Sequence, residues 1–194
     1  MIYNKIAKYA SYLFVPPTFT LFLFIWVIFS FEKEKPIPII ISVLLTLVIP
    51  IIVFIWFKHN GKVQDYDASI KEERTTLYNI GILLCLGGFV FSKTMAYSTQ
   101  FTSLWIIYVI NTTLLIAINK RWKISAHMIG ISAPMGAFFY FNSNYAYLLI
   151  PLAIILVWAR LKLKMHTVLQ IAAGFLFGFL LTLLQLKIFG SNPL

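Results

Sequence analysis

Ile37-Pro38-Ile39-Ile40-Ile41-Ser42-Val43-Leu44-Leu45-Thr46-Leu47-Val48-Ile49-Pro50-Ile51-Ile52-Val53-Phe54-Ile55-Trp56-Phe57 carries no charged residue from end to end. A helix needs about 20 predominantly apolar residues to cross a hydrocarbon core roughly 30 Å thick. This stretch meets that requirement alone, and prolines such as Pro50 are tolerated in membrane helices. Working outward, six further uncharged runs follow the same reading: Leu13–Phe31, Leu77–Ser92, Phe101–Ile118, Ile124–Phe141, Tyr145–Ala159 and Thr167–Leu186. Leu77–Ser92 and Tyr145–Ala159 are short. Leu13–Phe31 is too long, and too poor in small residues at a cleavage site, for a signal peptide. Asn142-Ser143-Asn144 is a tight polar turn, so the two runs around it read as an antiparallel helical hairpin. The expectation is an all-α, polytopic integral membrane bundle of six to seven transmembrane helices, forming a single domain over residues 1–194.

Composition agrees with that expectation. Of 194 residues, 60% are hydrophobic and only 11% charged, and mean hydropathy is +0.87. Soluble domains carry about a quarter charged residues. Sixteen basic residues against six acidic ones give a net charge of +10. A nucleic-acid surface is not built among runs of twenty apolar residues, so that partner class is excluded. Cys85 is the only cysteine and lies inside an apolar run, which excludes an internal disulfide. The 18 Phe, 10 Tyr and 5 Trp require only lipid-facing packing and interfacial belts.

The cations fall in few places. Lys5 and Lys8, the 58–76 loop, the 120–123 turn and the 160–164 turn hold twelve of them, and seven spans put all four segments on one face. By the positive-inside rule that face is cytoplasmic. Several of these cations are also suited to hold an anion.

Two of the three histidines lie at helix starts on that face. His127 follows Lys123-Ile124-Ser125-Ala126, and His166 precedes Thr167-Val168-Leu169-Gln170. His59 reads as an interfacial residue without chemistry. The hairpin between His127 and His166 has arms of about 15 residues, which run out and back roughly 22 Å. It therefore returns His166 to the face of His127, together with Ser125 and Arg160. Helix N-termini favour phosphate, and arginine adds bidentate hydrogen bonds to its oxygens. One imidazole can attack phosphorus while the other hands a proton to the leaving oxygen. Gln170, one turn after His166, can accept from its second ring nitrogen.

Ser125-Ala126-His127 followed by Arg160-x5-His166-x3-Gln170, with Gly174 behind, resembles the second and third motifs of the type 2 phosphatidic acid phosphatases. Those motifs read Pro-Ser-Gly-His and Ser-Arg-x5-His-x3-Asp. The first motif is Lys-x6-Arg-Pro, and Arg74 is similar to its arginine. The resemblance covers roughly residues 60–180. It implies a lipid phosphatase that works without a cofactor or metal, with His166 as nucleophile, His127 as general acid and Gln170 orienting His166. Arg160, Arg74 and Ser125 would bind phosphate, with Lys71 replacing the lysine for which Asp67 stands. It also implies an active face outside the cytoplasm in many relatives. Ile124, Ala126, Ala159, Thr75 and Gln170 depart from the family residues. The His166-Thr167-x2-Gln170 pattern is similar to the dolichyl-diphosphatase branch, which leans towards a prenyl lipid substrate.

Rival chemistries lack their residues. Membrane prenyltransferases hold Mg²⁺ on paired aspartates, and here the only aspartates are Asp65 and Asp67. A zinc site needs a His/Cys/carboxylate cluster, which the sequence does not supply. The helix-end cations also admit simple snorkelling anchorage, and Ser125 an ordinary helix cap. A non-hydrolytic lipid-phosphate binding protein or transporter stays open as the alternative, with Gly130, Pro134 and Gly136 breaking a helix over a cationic pocket. The expected setting is multi-pass in the cell (inner) membrane, with a membrane lipid phosphate and the bilayer as partners.

Overall fold

The computed structural model describes residues 2–66, 70 and 72–190, and these are helical with short connections. α1 (Ile2–Leu13) and α2 (Pro16–Phe31) meet at a 43° bend. Pro16 and Pro17 open the second helix there, where missing N–H groups cost nothing. α3 (Pro36–Val43), a π turn (Leu44–Val48) and α4 (Ile49–His59) form one continuous rod. α5 (Arg74–Thr94), α6 (Thr99–Arg121), α7 (Ala126–Tyr140), α8 (Tyr145–Lys162) and α9 (Val168–Phe189) complete the chain. Every apolar run of the sequence is thus a helix. Among the described residues five spans (Pro36–His59, α5, α6, α8 and α9) are long and apolar enough to cross a membrane, and the bent α1–α2 pair, taken as one span, makes a sixth.

The run at Ile124–Phe141 has a different role from the other six. Its helix, α7, has 15 residues, and His127 through Phe138 are all buried. It is the axis of the bundle, packed along α9 and also against α2 and α8. Glycines let it approach so closely. An added Cβ at Gly174 would meet the Ser125 carbonyl oxygen at 2.7 Å, one at Gly178 would collide with Ser132 Oγ, and one at Gly136 would meet Phe179 O at 2.5 Å. Small residues at i and i+4 are how membrane helices gain van der Waals contact where lipid offers no hydrophobic drive.

The aromatic residues do more than face lipid. Phe24, Phe101, Trp105 and Phe138 are fully buried, and the Phe24 and Trp105 rings lie 4.3 Å apart. Away from the cationic end, Glu32 accepts from the Ser98 backbone N–H at 3.1 Å and from Ser98 Oγ at 2.5 Å, tying the end of α2 to the start of α6. Deep in the bundle Asn111 donates to Thr182 Oγ1 at 3.0 Å and accepts from Gln185 Nε2 at 2.7 Å, joining α6 to α9.

Candidate active site

Helix ends build the site. Ser125 caps α7, its Oγ accepting from Met128 N at 3.4 Å. Thr167 caps α9 in a capping box: its Oγ1 accepts from Gln170 N at 3.3 Å, and Gln170 Oε1 accepts from Thr167 N at 3.1 Å. The two starts are tied directly, since Ser125 N donates to Gln170 O at 3.3 Å. Both N-termini therefore open towards the same place, with the positive ends of their dipoles together.

α8 delivers Arg160 and then reverses. Met165 N donates to Arg160 O at 3.1 Å and Lys164 N to Leu161 O at 3.0 Å. This is the Schellman pattern, with Lys164 at φ +54° where glycine is the usual residue. The reversal places His166 one residue beyond the turn, directly before the α9 cap.

The geometry brings together most of the residues singled out in sequence. Arg160 is completely buried and donates from Nη1 to Ser11 Oγ at 3.0 Å. His127 is also buried, and its Nε2 donates to the Ser11 carbonyl at 3.3 Å. A carbonyl only accepts, so the His127 proton is on Nε2. His166 Nδ1 lies 3.3 Å from Gln170 Oε1. The capping box fixes the orientation of that amide, because Thr167 N–H requires an oxygen. Nδ1 of His166 therefore carries the proton and Nε2 keeps its lone pair. Burial, then the charges of Arg160, Arg74 and Lys123, push His166 down to about 3, with the Gln170 hydrogen bond opposing. The charges of Arg160 and Arg74 act on His127 as well.

Arg74 opens α5 and is buried, hydrogen-bonded to the Tyr78 side chain. Ser125 is wholly buried and engaged as a cap. Lys71 and Asp67 lie outside the described residues. Among the described residues no three His, Cys, Asp or Glu side chains gather as metal ligands do.

No family model, curated protein or solved structure matches this chain. The reading of the site rests on its own chemistry.

Two residues escaped the sequence. Ser11 bridges Arg160 and His127 from α1, and nothing in a Lys-Tyr-Ala-Ser-Tyr context marks it. Only the α1 periodicity hints at it, since Ala7 and Ser11, one turn apart, are its two buried residues. Lys123 was legible as a cation but not as one close enough to act on His166.

Proposed function

We propose that this protein is a membrane lipid phosphatase that removes a phosphate or diphosphate group from a lipid through a phosphohistidine. One observation carries the reading: His166 has its Nδ1 proton held by Gln170, leaving a neutral Nε2 among Arg160, Arg74 and Lys123. A neutral imidazole beside three cations is suited to attack an anion and unsuited to bind a metal cation.

Nε2 of His166 attacks phosphorus, and the bond from phosphorus to the leaving oxygen breaks. An incoming phosphate dianion favours the imidazolium form of His127, in which Nε2–H stays on the Ser11 carbonyl and the added Nδ1 proton passes to that oxygen. Water then attacks the phosphohistidine, His127 takes a proton from it, the P–N bond breaks and inorganic phosphate leaves. Arg160, Arg74 and the two helix starts stabilise the charge on the equatorial oxygens. The resemblance to type 2 phosphatidic acid phosphatases supports the same assignment, with Gln170 in the place of an aspartate.

The test is phosphate release by purified protein in detergent from phosphatidate, phosphatidylglycerol phosphate and polyprenyl diphosphates. Release should persist in EDTA, stop with vanadate, and vanish in His166→Ala. If His166→Ala keeps near-normal release with an intact fold, the nucleophile is wrong. No release from any of these substrates favours a binding or transport role.

A further inference from the structure

We propose that α1 is a surface helix that docks on the anionic headgroups of the bilayer, and that this seat holds Ser11 in the site. The seat stands without the phosphatase reading, and its effect on turnover rests on that reading.

α1 divides into three faces. Ala7 and Ser11, one turn apart, are its buried residues, and the helix packs on α8. Ile2, Ile6, Tyr9 and Leu13 follow the i, i+4, i+7, i+11 spacing of one helical stripe, and each is between 49% and 71% exposed. Lys5 and Lys8 are exposed along one flank of that stripe. The helix carries no acidic residue, and the first in the chain is Glu32. An apolar stripe with a cationic flank fits a lipid surface that bears negative charge.

Length and position put α1 at that surface. Residues 2–31 of the bent pair run roughly 45 Å along their axes, against about 30 Å of hydrocarbon. The surplus falls to α1, because Ser11 already meets Arg160 in the last turn of α8 and His127 in the first turn of α7. The cationic flank also continues beyond α1. The Tyr12 and Tyr66 rings meet edge to face at 5.9 Å, and Lys58 Nζ lies 5.4 Å over the Tyr66 ring. Tyrosines and lysines at one level are what a membrane–water boundary selects.

The seat reaches the site through one residue. Ser11 O lies in the last turn of α1, where carbonyls lack helical N–H partners, and it accepts from His127 Nε2 instead. Ser11 Oγ accepts from Arg160 Nη1. When α1 lifts, both contacts go together, and the buried side chains that oppose lifting, Ala7 and Ser11, are small. A helix so lightly held by the protein depends on lipid for its position.

The full chain is tested in nanodiscs of phosphatidylcholine, alone or mixed with phosphatidylglycerol, a phosphodiester with no terminal phosphate to release. In a Cys85→Ala background, a fluorophore is attached through Ile6→Cys or Asn4→Cys and challenged with spin-labelled lipid chains. The label at position 6 should be quenched, and the label at position 4, across the helix, should not. Quenching at both would make α1 part of the span, and at neither would put it in water; either overturns the seat. Amide hydrogen exchange then reads how often α1 opens. Each lysine beside an anionic surface is worth roughly fivefold, so phosphatidylglycerol should protect the α1 amides about 25-fold. Lys5→Gln alone should leave about fivefold of that gain, and Lys5→Gln with Lys8→Gln should abolish it. Lys33→Gln, at the opposite end of α2, should change nothing. Protection that ignores phosphatidylglycerol, or a gain that survives the double variant, overturns the proposal. Phosphate release from phosphatidate and polyprenyl diphosphates, held at one fixed content, should rise with protection and stop responding in the double variant. Release that ignores phosphatidylglycerol while α1 responds overturns the link through Ser11. The α1 pattern without release from any substrate upholds the seat and removes the phosphatase, and normal release without the pattern does the reverse.

Discussion

Gly174→Ala is the sharpest perturbation the structure offers. The added methyl would lie 2.7 Å from the Ser125 carbonyl oxygen, about 0.7 Å inside the 3.4 Å of ordinary contact. That oxygen is backbone, held in the first turn of α7 by Ile129 N at 3.1 Å, so it cannot swing away as a side-chain tip would. α7 and α9 must instead part by several tenths of an ångström at the end where they carry His127 and His166. Overpacking of this kind costs about 1–3 kcal/mol. A misplacement of about 1 Å between reacting groups costs around 10²-fold in rate, so phosphate release should fall roughly 10- to 100-fold. Gly136→Ala crowds the same helix pair away from the histidines, and should lower stability with a smaller loss of rate. Gly87→Ala, in open surroundings, should do neither. Thermal unfolding in detergent and phosphate release measured on the three variants decide the matter. Gly174→Ala with wild-type melting and wild-type turnover would falsify the claim that this glycine sets the spacing of the two histidines.

Ser11→Ala removes the hydroxyl that accepts from Arg160 Nη1; if Ser11 holds the seat of a phosphate oxygen, vanadate should inhibit about tenfold more tightly, whereas weaker inhibition would make Ser11 a phosphate ligand. His166 takes up a proton only near pH 3 when folded but near 6.5 when unfolded. The His166 contribution to stability should therefore be level above pH 6.5 and fall below it by at most about 1.4 kcal/mol per pH unit, a part of the slope that His166→Gln should remove in pH-dependent thermal unfolding. Gln170→Ala loses both the capping-box acceptor and the partner of His166 Nδ1, so kcat should drop about tenfold or more, read by phosphate release. Gln170→Glu keeps the reach of the box and adds charge behind the imidazole, and should match or exceed wild type; a shorter aspartate fits this cap less well.

Much of this protein was legible before any coordinates. Uncharged runs fix where helices form, because an unpaired backbone group is too costly in hydrocarbon for any open alternative. The cap Ser125 was readable for the same local reason, since it bonds a backbone N–H three residues ahead, whereas Ser98 and Thr167 emerged as caps only in the structure. The Asn142 turn was readable too. The spacing Arg160-x5-His166-x3-Gln170 and the hairpin arithmetic were enough to bring His127 and His166 to one end.

The tertiary structure alone decided which helix is the axis. α7 is no more apolar than α2 or α9, and the close approaches at Gly136, Gly174 and Gly178 reveal it as the buried partner of α9. It also decided that Ser11 enters the site, that the charge of Lys123 acts on His166, and that Arg74 and His127 line one cavity. The division has a physical cause. Helix formation and capping depend on residues within about four positions, which a sequence displays in order. Helix approach and cavity shape depend on side chains scores of residues apart, and the sequence holds no record of which will touch.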